Sequence, residues 1–215
     1  MTQLIIEGIG ETLYMTAVST FLAYLFGLPL GILLVLTGKG GIKPMPTLNL
    51  IVGFVVNVFR SIPFLILLVA VIPVTRAIVG TILGSTAAIV PLVISATPFI
   101  ARIVESSLIE VDAGVIEAAQ SMGANTRQIV MKVMLPEAKP SIITNAALAS
   151  VTILGYSAMA GYVGGGGLGD IAMRYGFYKF DTATMWVVVV IIVVIVQIMQ
   201  EIGLRIAKHT DHRAR

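Results

Sequence analysis

The chain has 215 residues, of which 57% are hydrophobic and only 12% are charged, and its mean hydropathy is +0.99. This composition excludes a soluble domain and predicts an all-α integral membrane protein. The net charge of +3 is too small and too dispersed to indicate nucleic-acid binding, and the absence of cysteine excludes disulfides and thiolate metal sites.

Five apolar segments predict five transmembrane helices within one domain covering residues 1–215. The expected spans are residues 12–38, 61–75, 87–104, 141–160 and 182–200. Residues 39–46 and 80–85 predict turns, and the glycine-rich stretch 156–169 predicts a loop. The first residues carry no positive charge, so no cleavable signal peptide is expected. In the first span, the glycine and proline residues favour helix packing over a functional kink; they are Gly27, Pro29 and Gly31.

Arg60 interrupts the second apolar segment. Because an arginine at the bilayer centre is costly, we expect Arg60 at a membrane interface, with residues 48–59 partly buried in protein and residues 61–75 crossing. Two roles stay open for this side chain, namely interfacial anchoring and pairing with a carboxylate of a partner subunit.

The basic residues predict the orientation. With the N-terminus outside and the C-terminus cytoplasmic, the inner segments contain eleven of the fourteen Lys and Arg residues. These eleven are Lys39, Lys43, Arg60, Arg102, Arg127, Lys132, Lys139, Arg205, Lys208, Arg213 and Arg215. The outer segments contain only Arg76, Arg174 and Lys179. This positive-inside bias places the polar region at residues 111–140 in the cytoplasm.

That polar region predicts two short helices that meet at a glycine, within EAAQSMGANTRQIVMKVMLP at residues 117–136. Asp112 can cap the first helix, Gly123 takes the position that needs a positive φ, and Thr126 can cap the second. Pro136 is expected to end the second helix. An apolar stripe at helical spacing consists of Ile129, Val130, Val133 and Met134.

An ordinary amphipathic helix pair at the membrane surface is the alternative interpretation of this region. The small residues Ala118 and Ala119 beside Gly123 favour close approach by another protein instead. The fourth span also has a polar face, which in lipid turns toward a protein interface or a water-filled path. Its polar residues are Ser141, Thr144, Asn145, Ser150, Thr152, Tyr156 and Ser157.

The chain shows no catalytic constellation and is not expected to be an enzyme. His209 and His212 lie beside Asp211 in a basic tail, where a solvated anchor is expected and a metal site is not. There is no P-loop G-x-x-x-x-G-K-[ST], so the energy source must be another polypeptide. We therefore expect no cofactor in this chain.

The spacing of Glu-Ala-Ala, three residues, Gly, nine residues and Val-x-Leu-Pro resembles the EAA signature of the permease subunits of bacterial ABC importers. In that family the signature docks into a cleft on the cytoplasmic ATPase. Val133 departs from it conservatively, since the family more often has Ile. The resemblance implies that residues 111–140 form the coupling-helix region. It assigns coupling to Glu117, Ala118, Ala119, Gly123, Leu135 and Pro136.

Other stretches are similar to the permease subunits of bacterial methionine ABC importers. They are FRSIPF at 59–64, PFIARIVESSL at 98–108, LPEA at 135–138 and GYSAMAGYVGGGGLG at 155–169. The resemblance implies the type I ABC importer permease fold, with five helices per subunit, in the bacterial inner membrane. It also implies a homodimer that conducts D- and L-methionine.

The same resemblance implies the partners: a second copy of the chain, two cytoplasmic ATPase subunits and an extracytoplasmic substrate-binding protein or lipoprotein. It also implies that ATP and Mg²⁺ bind to the ATPase subunits. Tyr156 and Met159 would narrow the path near its outer end. The alternatives are a permease for another amino acid or small polar solute, an ATP-independent transporter or channel, and a membrane enzyme. A secondary transporter usually has inverted repeats and ionisable residues inside its helices, neither of which is found here, and an enzyme would lack catalytic residues.

Overall fold

The computed structural model describes residues 1–210. Arg213 and Arg215, which contribute to the predicted charge bias, and Asp211 and His212 of the basic tail lie outside the described residues. Within residues 1–210 the regular structure is entirely helical. The helices are α1 (Thr2–Thr37), α2 (Pro46–Ser61), α3 (Phe64–Ala70), α4 (Ile72–Val79), α5 (Ser85–Ile109), α6 (Ala113–Ser121), α7 (Thr126–Ile129), α8 (Leu135–Ala160), α9 (Gly167–Ile171) and α10 (Thr182–Thr210).

Four helical stretches are long and apolar enough to cross a membrane, and the bent pair α2 and α3 raises the number to five if it forms one span. The four are Thr2–Thr37, Ser85–Ile109, Thr126–Val163 and Thr182–Thr210. The all-α membrane architecture predicted from composition is therefore confirmed. The predicted third and fifth spans lie inside α5 and α10, which continue beyond them at one or both ends.

Helix α1 begins at Thr2, ten residues before the predicted start of the first span. The prediction used the uncharged run alone, and Glu7 and Glu11 lie before that run. The extra turns are helical because Leu4 and Ile9 pack against the buried cluster of Leu168, Ile171 and Val188. An amphipathic extension of this kind is stabilised by one packed face and tolerates charge on the other.

Residues 61–75 do not form one continuous helix, although the predicted break beside Arg60 is confirmed. Helix α2 ends at Ser61, and the following residues form the two short helices α3 and α4, which meet at Val71. Pro63 precedes α3 and Pro73 lies in the first turn of α4. Each proline lacks a backbone N–H and restricts the preceding residue, so each favours a helix start. The longest helix of this region is α2, with 16 residues.

Two prolines were also misread around the fourth span. Pro136 does not end the second short helix, and the fourth span does not begin after Pro140. Helical structure runs without a break from Thr126 to Val163. A π-helical turn covers Val130–Met134, and α8 follows it directly. Pro136 lies in the first turn of α8, where a missing backbone N–H is tolerated. Pro140 lies inside α8.

The chain divides into two compact units. The first consists of Met1–Ala23, Ile62–Ala96 and Leu148–Glu201. Its core includes Leu168, Ile171 and Val188. The second consists of Tyr24–Ser61, Thr97–Ala147 and the residues from Ile202 onward. Its core includes Leu34, Val56 and Ala101.

Inside the second unit, α1 and α5 approach closely at a glycine. A Cβ atom added to Gly31 would lie only 2.6 Å from the carbonyl oxygen of Ala101. This contact favours the packing interpretation of the glycine and proline cluster in the first span.

Candidate functional site

The first arm of the predicted polar region is α6. The Asp112 carboxylate accepts a hydrogen bond from the Val115 N–H at 3.3 Å, which confirms the predicted cap. Glu117 and Ala118 are exposed, whereas Ala119 is buried. The arm therefore presents one carboxylate and one small residue to the surroundings and packs its other alanine inward.

Gly123 ends this arm with a φ of +80°, as predicted. Its N–H donates to the Gln120 carbonyl at 2.9 Å, and the Ala124 N–H donates to the Ala119 carbonyl at 3.1 Å. A Cβ added to Gly123 would meet nothing within 4 Å. The backbone conformation, and not lack of space, is therefore what requires glycine here.

The second arm is capped by Asn125, and the prediction of Thr126 is wrong by one residue. The Asn125 side chain accepts from the Gln128 N–H at 2.9 Å, and the Gln128 side chain accepts from the Asn125 N–H at 2.8 Å. This reciprocal capping box needs an extended residue at the cap, and Asn125 has φ −76° and ψ 163°. Thr126 is already the first helical residue.

We call residues 112–136 the elbow. Its inner face is formed by the predicted apolar stripe: Ile129, Val130 and Met134 are buried, and Val133 is half-buried. Of the other two predicted coupling residues, Leu135 is half-buried and Pro136 is exposed. Met122, immediately before Gly123, is 82% exposed and was not singled out from sequence. A flexible apolar side chain at the bend of a well-capped elbow is suited to contact with another protein.

A polar cavity of about 270 Å³ lies beside the start of α8. The hydroxyl of the fully buried Ser107 interacts with the Ser141 hydroxyl at 3.1 Å and accepts from the Asn145 amide at 3.0 Å. Part of the predicted polar face of the fourth span is thus used inside this unit. Glu110 and Glu137 also line the cavity.

Arg60 is exposed in the last turn of α2. A different arginine makes an ion pair within this unit. Arg102 contacts the Glu105 carboxylate at 2.6 Å and donates to the Gly53 carbonyl at 3.2 Å and to the Asn57 side chain at 3.0 Å. Sequence reasoning counted Arg102 only as an inner charge, because the partners on α2 lie 45 and 49 residues away.

The other predicted functional residues lie near the end of α8. The Tyr156 ring stacks on Phe64 of α3, with ring centroids 4.8 Å apart and an angle of 6° between the planes. Met159 is 41% exposed, so it is not packed into the core of its own unit. Leu148, Gly155 and Met159 are all exposed, and their spacing places them on one face of α8. Such a face is available to line a path or to meet another subunit.

The predicted loop at residues 156–169 is mostly helical. Helix α8 continues to Ala160, a 3₁₀ turn covers Gly161–Val163, and α9 starts at Gly167. Only residues 164–166 form the irregular connection, which we call the glycine loop. Its Gly166 has a φ of +77°, and an added Cβ would lie 2.7 Å from the Glu11 carboxylate. Glycine clusters predict loops on average, but Gly166 allows close approach to α1.

Two neighbouring side chains of α1 hold the segment that follows the glycine loop. The Glu11 carboxylate accepts from the Gly167 N–H at 2.6 Å, and the Thr12 hydroxyl accepts from the Leu168 N–H at 2.9 Å. The Gly84 N–H donates to the Gly164 carbonyl at 2.8 Å. Sequence reasoning missed Glu11 and Thr12 because these partners are 156 residues apart.

Within residues 1–210 no group of three or more His, Cys, Asp or Glu side chains is arranged to hold a metal ion. The described features of the second unit include an ion pair and a polar cavity.

Comparison with known proteins identifies the family. The profile of the family described as "Binding-protein-dependent transport system inner membrane component" matches residues 13–213. The chain belongs to this family. It is therefore a permease component of an ABC importer and a multi-pass protein of the inner membrane.

Individual relatives are similar over nearly their whole length. A protein of Vibrio cholerae named "Probable D-methionine transport system permease protein MetI" is 52% identical, with 99% of this chain and 94% of that protein covered. A protein of the same name from Pasteurella multocida is 48% identical, with 99% and 100% covered. A solved chain of the MetNI methionine ABC transporter in an inward-facing conformation is 48% identical, covers 98% of each chain and superposes with a TM-score of 0.97. The type I ABC importer permease fold expected from sequence is thereby confirmed.

Proposed function

We propose that this chain is the permease subunit of an ABC importer for D- and L-methionine, and that two copies of it form the translocation path. The observation that carries the proposal is the 48% identity over 98% of both chains to a permease of the MetNI methionine transporter. The relatives named for D-methionine transport support the same substrate. Family membership sets the class of transporter, and the substrate is inferred from these relatives.

ATP hydrolysis is assigned to two partner ATPase subunits, so the chain itself is not an enzyme and needs no cofactor. A separate substrate-binding protein or lipoprotein delivers methionine from outside. The orientation predicted from the basic residues places the elbow on the ATPase side. We treat residues 1–215 as one permease domain, with residues 111–140 as its coupling region.

The elbow is the proposed contact with the ATPase. The junction between its two arms is fixed by the Asp112 cap, the Gly123 turn and the Asn125 capping box, so this junction can transmit a push without deforming. Exposed Glu117 and Ala118, together with Met122 at the bend, form the contact surface. Ala119 and Leu135 support it from within, and exposed Pro136 lies at its end.

Charge reversal tests this contact. Glu117→Lys changes the charge of the exposed arm without bending it, so the complex should still assemble while receptor-stimulated ATP hydrolysis falls. Glu7→Lys is the matched control, because Glu7 is an exposed carboxylate of α1 outside the elbow. Equal hydrolysis in both variants and the wild type would contradict the assignment of Glu117.

Tyr156 and Met159 are proposed to narrow the path. The stacking of Tyr156 on Phe64 fixes the direction of its ring, and the exposure of Met159 leaves it free to meet the second copy. Arg60 is proposed as an interfacial anchor, since it lies exposed at the end of α2.

Reconstitution tests the proposed function as a whole. The chain is incorporated into vesicles with or without its ATPase and substrate-binding partners, and uptake of labelled methionine is measured with and without ATP. We expect accumulation only when all components and ATP are present. Accumulation by the chain alone would indicate a secondary transporter or channel. Failure to accumulate labelled methionine, together with accumulation of a different labelled amino acid by the same complete system, would assign a different substrate within the same family.

A further inference from the structure

We propose that Phe177, Tyr178, Phe180 and Trp186 form an aromatic anchor that binds the lipid interface where α10 enters the membrane. These residues lie within ten positions of the sequence and include four of the fifteen aromatic residues of the chain. Their exposed fractions are 57%, 66%, 85% and 65%, respectively. A group of exposed aromatic rings of this kind marks a surface that contacts a membrane or another protein.

The position of the four rings relative to the start of α10 indicates which surface covers them. Helix α10 starts at Thr182, and only 11% of its most apolar window is buried in the protein, so most of this helix is left for lipid. Phe180 lies two residues before Thr182. Trp186 lies four residues after Thr182, which is about 6 Å along the helix axis at 1.5 Å per residue. Aromatic residues are enriched at this depth, at the boundary between headgroups and hydrocarbon.

The backbone holds Phe180 outward. Phe180 has a φ of +55° and is the only residue other than glycine with a positive φ among residues 1–210. Immediately after it, the Asp181 N–H donates to the Tyr175 carbonyl at 3.1 Å, and the Thr182 N–H donates to the Phe180 carbonyl at 3.0 Å. A positive φ is unfavourable for a residue with a bulky side chain. Such a residue keeps this backbone conformation only where the surrounding structure fixes it. The outward direction of the ring is therefore built into the turn.

A cation lies over a further ring of the same segment, Tyr175. The Lys179 ammonium is 4.3 Å from the centroid of the Tyr175 ring. At a membrane surface, the apolar stem of a lysine can lie against an aromatic ring in the hydrocarbon region while its ammonium group reaches the lipid phosphates. The exposed apolar side chains Val190, Val193 and Val194 continue along α10. This continuity favours lipid over a soluble protein partner as the surface that covers the anchor.

The single tryptophan of the chain provides the probe. The full-length chain is reconstituted in vesicles of phosphatidylcholine brominated either near the headgroup or near the methyl end of the acyl chain, and Trp186 fluorescence is recorded. We expect stronger quenching by the bromines near the headgroup. Because this measurement needs no substitution, it does not depend on whether any variant folds.

Two variants in the Trp186→Phe background extend the test. Phe180→Trp should be quenched mainly near the headgroup, whereas Val190→Trp, deeper on the same helix, should be quenched mainly near the methyl end. If Phe180→Trp responds to aqueous iodide and to neither lipid, the face lies in water and is free to dock a soluble partner. If it responds to no quencher, another protein chain covers it. Either result overturns the proposal.

A third variant separates the ring from the turn. Phe180→Asn removes the ring and keeps a residue that tolerates a positive φ. We expect this variant to lose thermal stability relative to wild type in lipid vesicles and not in detergent micelles. An equal loss in both environments would show that Phe180 acts within the protein and would also overturn the anchor.

Discussion

The Thr12 hydroxyl offers a quantitative test of how α1 holds the segment after the glycine loop. Thr12 is 1% exposed, and its hydroxyl donates to the Gly8 carbonyl at 2.8 Å while accepting from the Leu168 N–H at 2.9 Å. Thr12→Val replaces the hydroxyl by a methyl group of similar size. The substitution thus removes the acceptor and leaves the shape of the side chain nearly unchanged.

The expected cost follows from the Leu168 amide. Leu168 is fully buried, so its N–H cannot turn to water once the hydroxyl is gone. An unsatisfied buried donor costs about 1 to 3 kcal/mol. The Gly8 carbonyl loses only its side-chain donor, which adds little. Thr12→Ser retains the hydroxyl and serves as the matched control, with the loss limited to one methyl group, about 0.8 kcal/mol.

Unfolding by denaturant in detergent micelles measures both variants. We expect Thr12→Val to lower the free energy of unfolding by about 1 to 3 kcal/mol and to lower it more than Thr12→Ser. Equal stability of Thr12→Val and wild type would refute the reasoning, because the Leu168 amide would then have another acceptor. A loss in Thr12→Ser as large as in Thr12→Val would assign the effect to packing and not to the hydrogen bond.

Three further predictions concern the elbow, Met159 and the start of α10. Gly123→Val forces a β-branched residue into φ +80°, and we expect co-purification with the ATPase to fall while membrane insertion, followed by protease protection, is unchanged. Met159→Ala should raise basal ATP hydrolysis of the reconstituted complex. It should lower the free energy of unfolding by far less than the roughly 2 to 5 kcal/mol typical of a buried methionine, since Met159 is 41% exposed. A large loss of stability with normal hydrolysis would indicate that Met159 acts in packing. The Asp181 carboxylate caps the start of α10. Hydrogen bonds from the Thr184 hydroxyl and, next, from the Thr184 amide lower its pKa. The stabilisation of α10 by this cap is therefore complete above the ordinary aspartate pKa and is lost as the pH falls through the lower pKa of the folded state. Thermal unfolding against pH should therefore change less in Asp181→Asn than in the wild type, and identical profiles would exclude a role for this carboxylate.

The elements that sequence predicted well are those whose causes are local. Helices α5 and α10 follow from long apolar runs, and the Gly123 turn follows from a glycine at the end of a capped helix. The cap of the second arm was misplaced by one residue because Asn125 and Thr126 are both good caps, and only the reciprocal bond with Gln128 distinguishes them.

The elements that sequence predicted poorly depend on distant partners or on rare helix geometry. The start of α1 depends on Leu168 and Ile171, more than 150 residues away. Residues 156–169 were predicted to be one long loop because the contact between Gly167 and Glu11 joins residues 156 positions apart along the chain. Pro136 was read as a helix end because a π-helical turn, which lets the helix continue, has no reliable sequence signature.

The correction at Pro136 changes how the elbow and Met159 are connected along the chain. A helix end at Pro136 would have left the second arm and Met159 on two separate helices. The structure instead has one uninterrupted helical run from Thr126 to Val163, which includes the second arm and Met159. A hydrogen-bonded helix resists bending except at prolines and π-turns, and this run has both near its start. Bending should therefore concentrate at residues 130–140, and the helix beyond them should move as a unit with Met159.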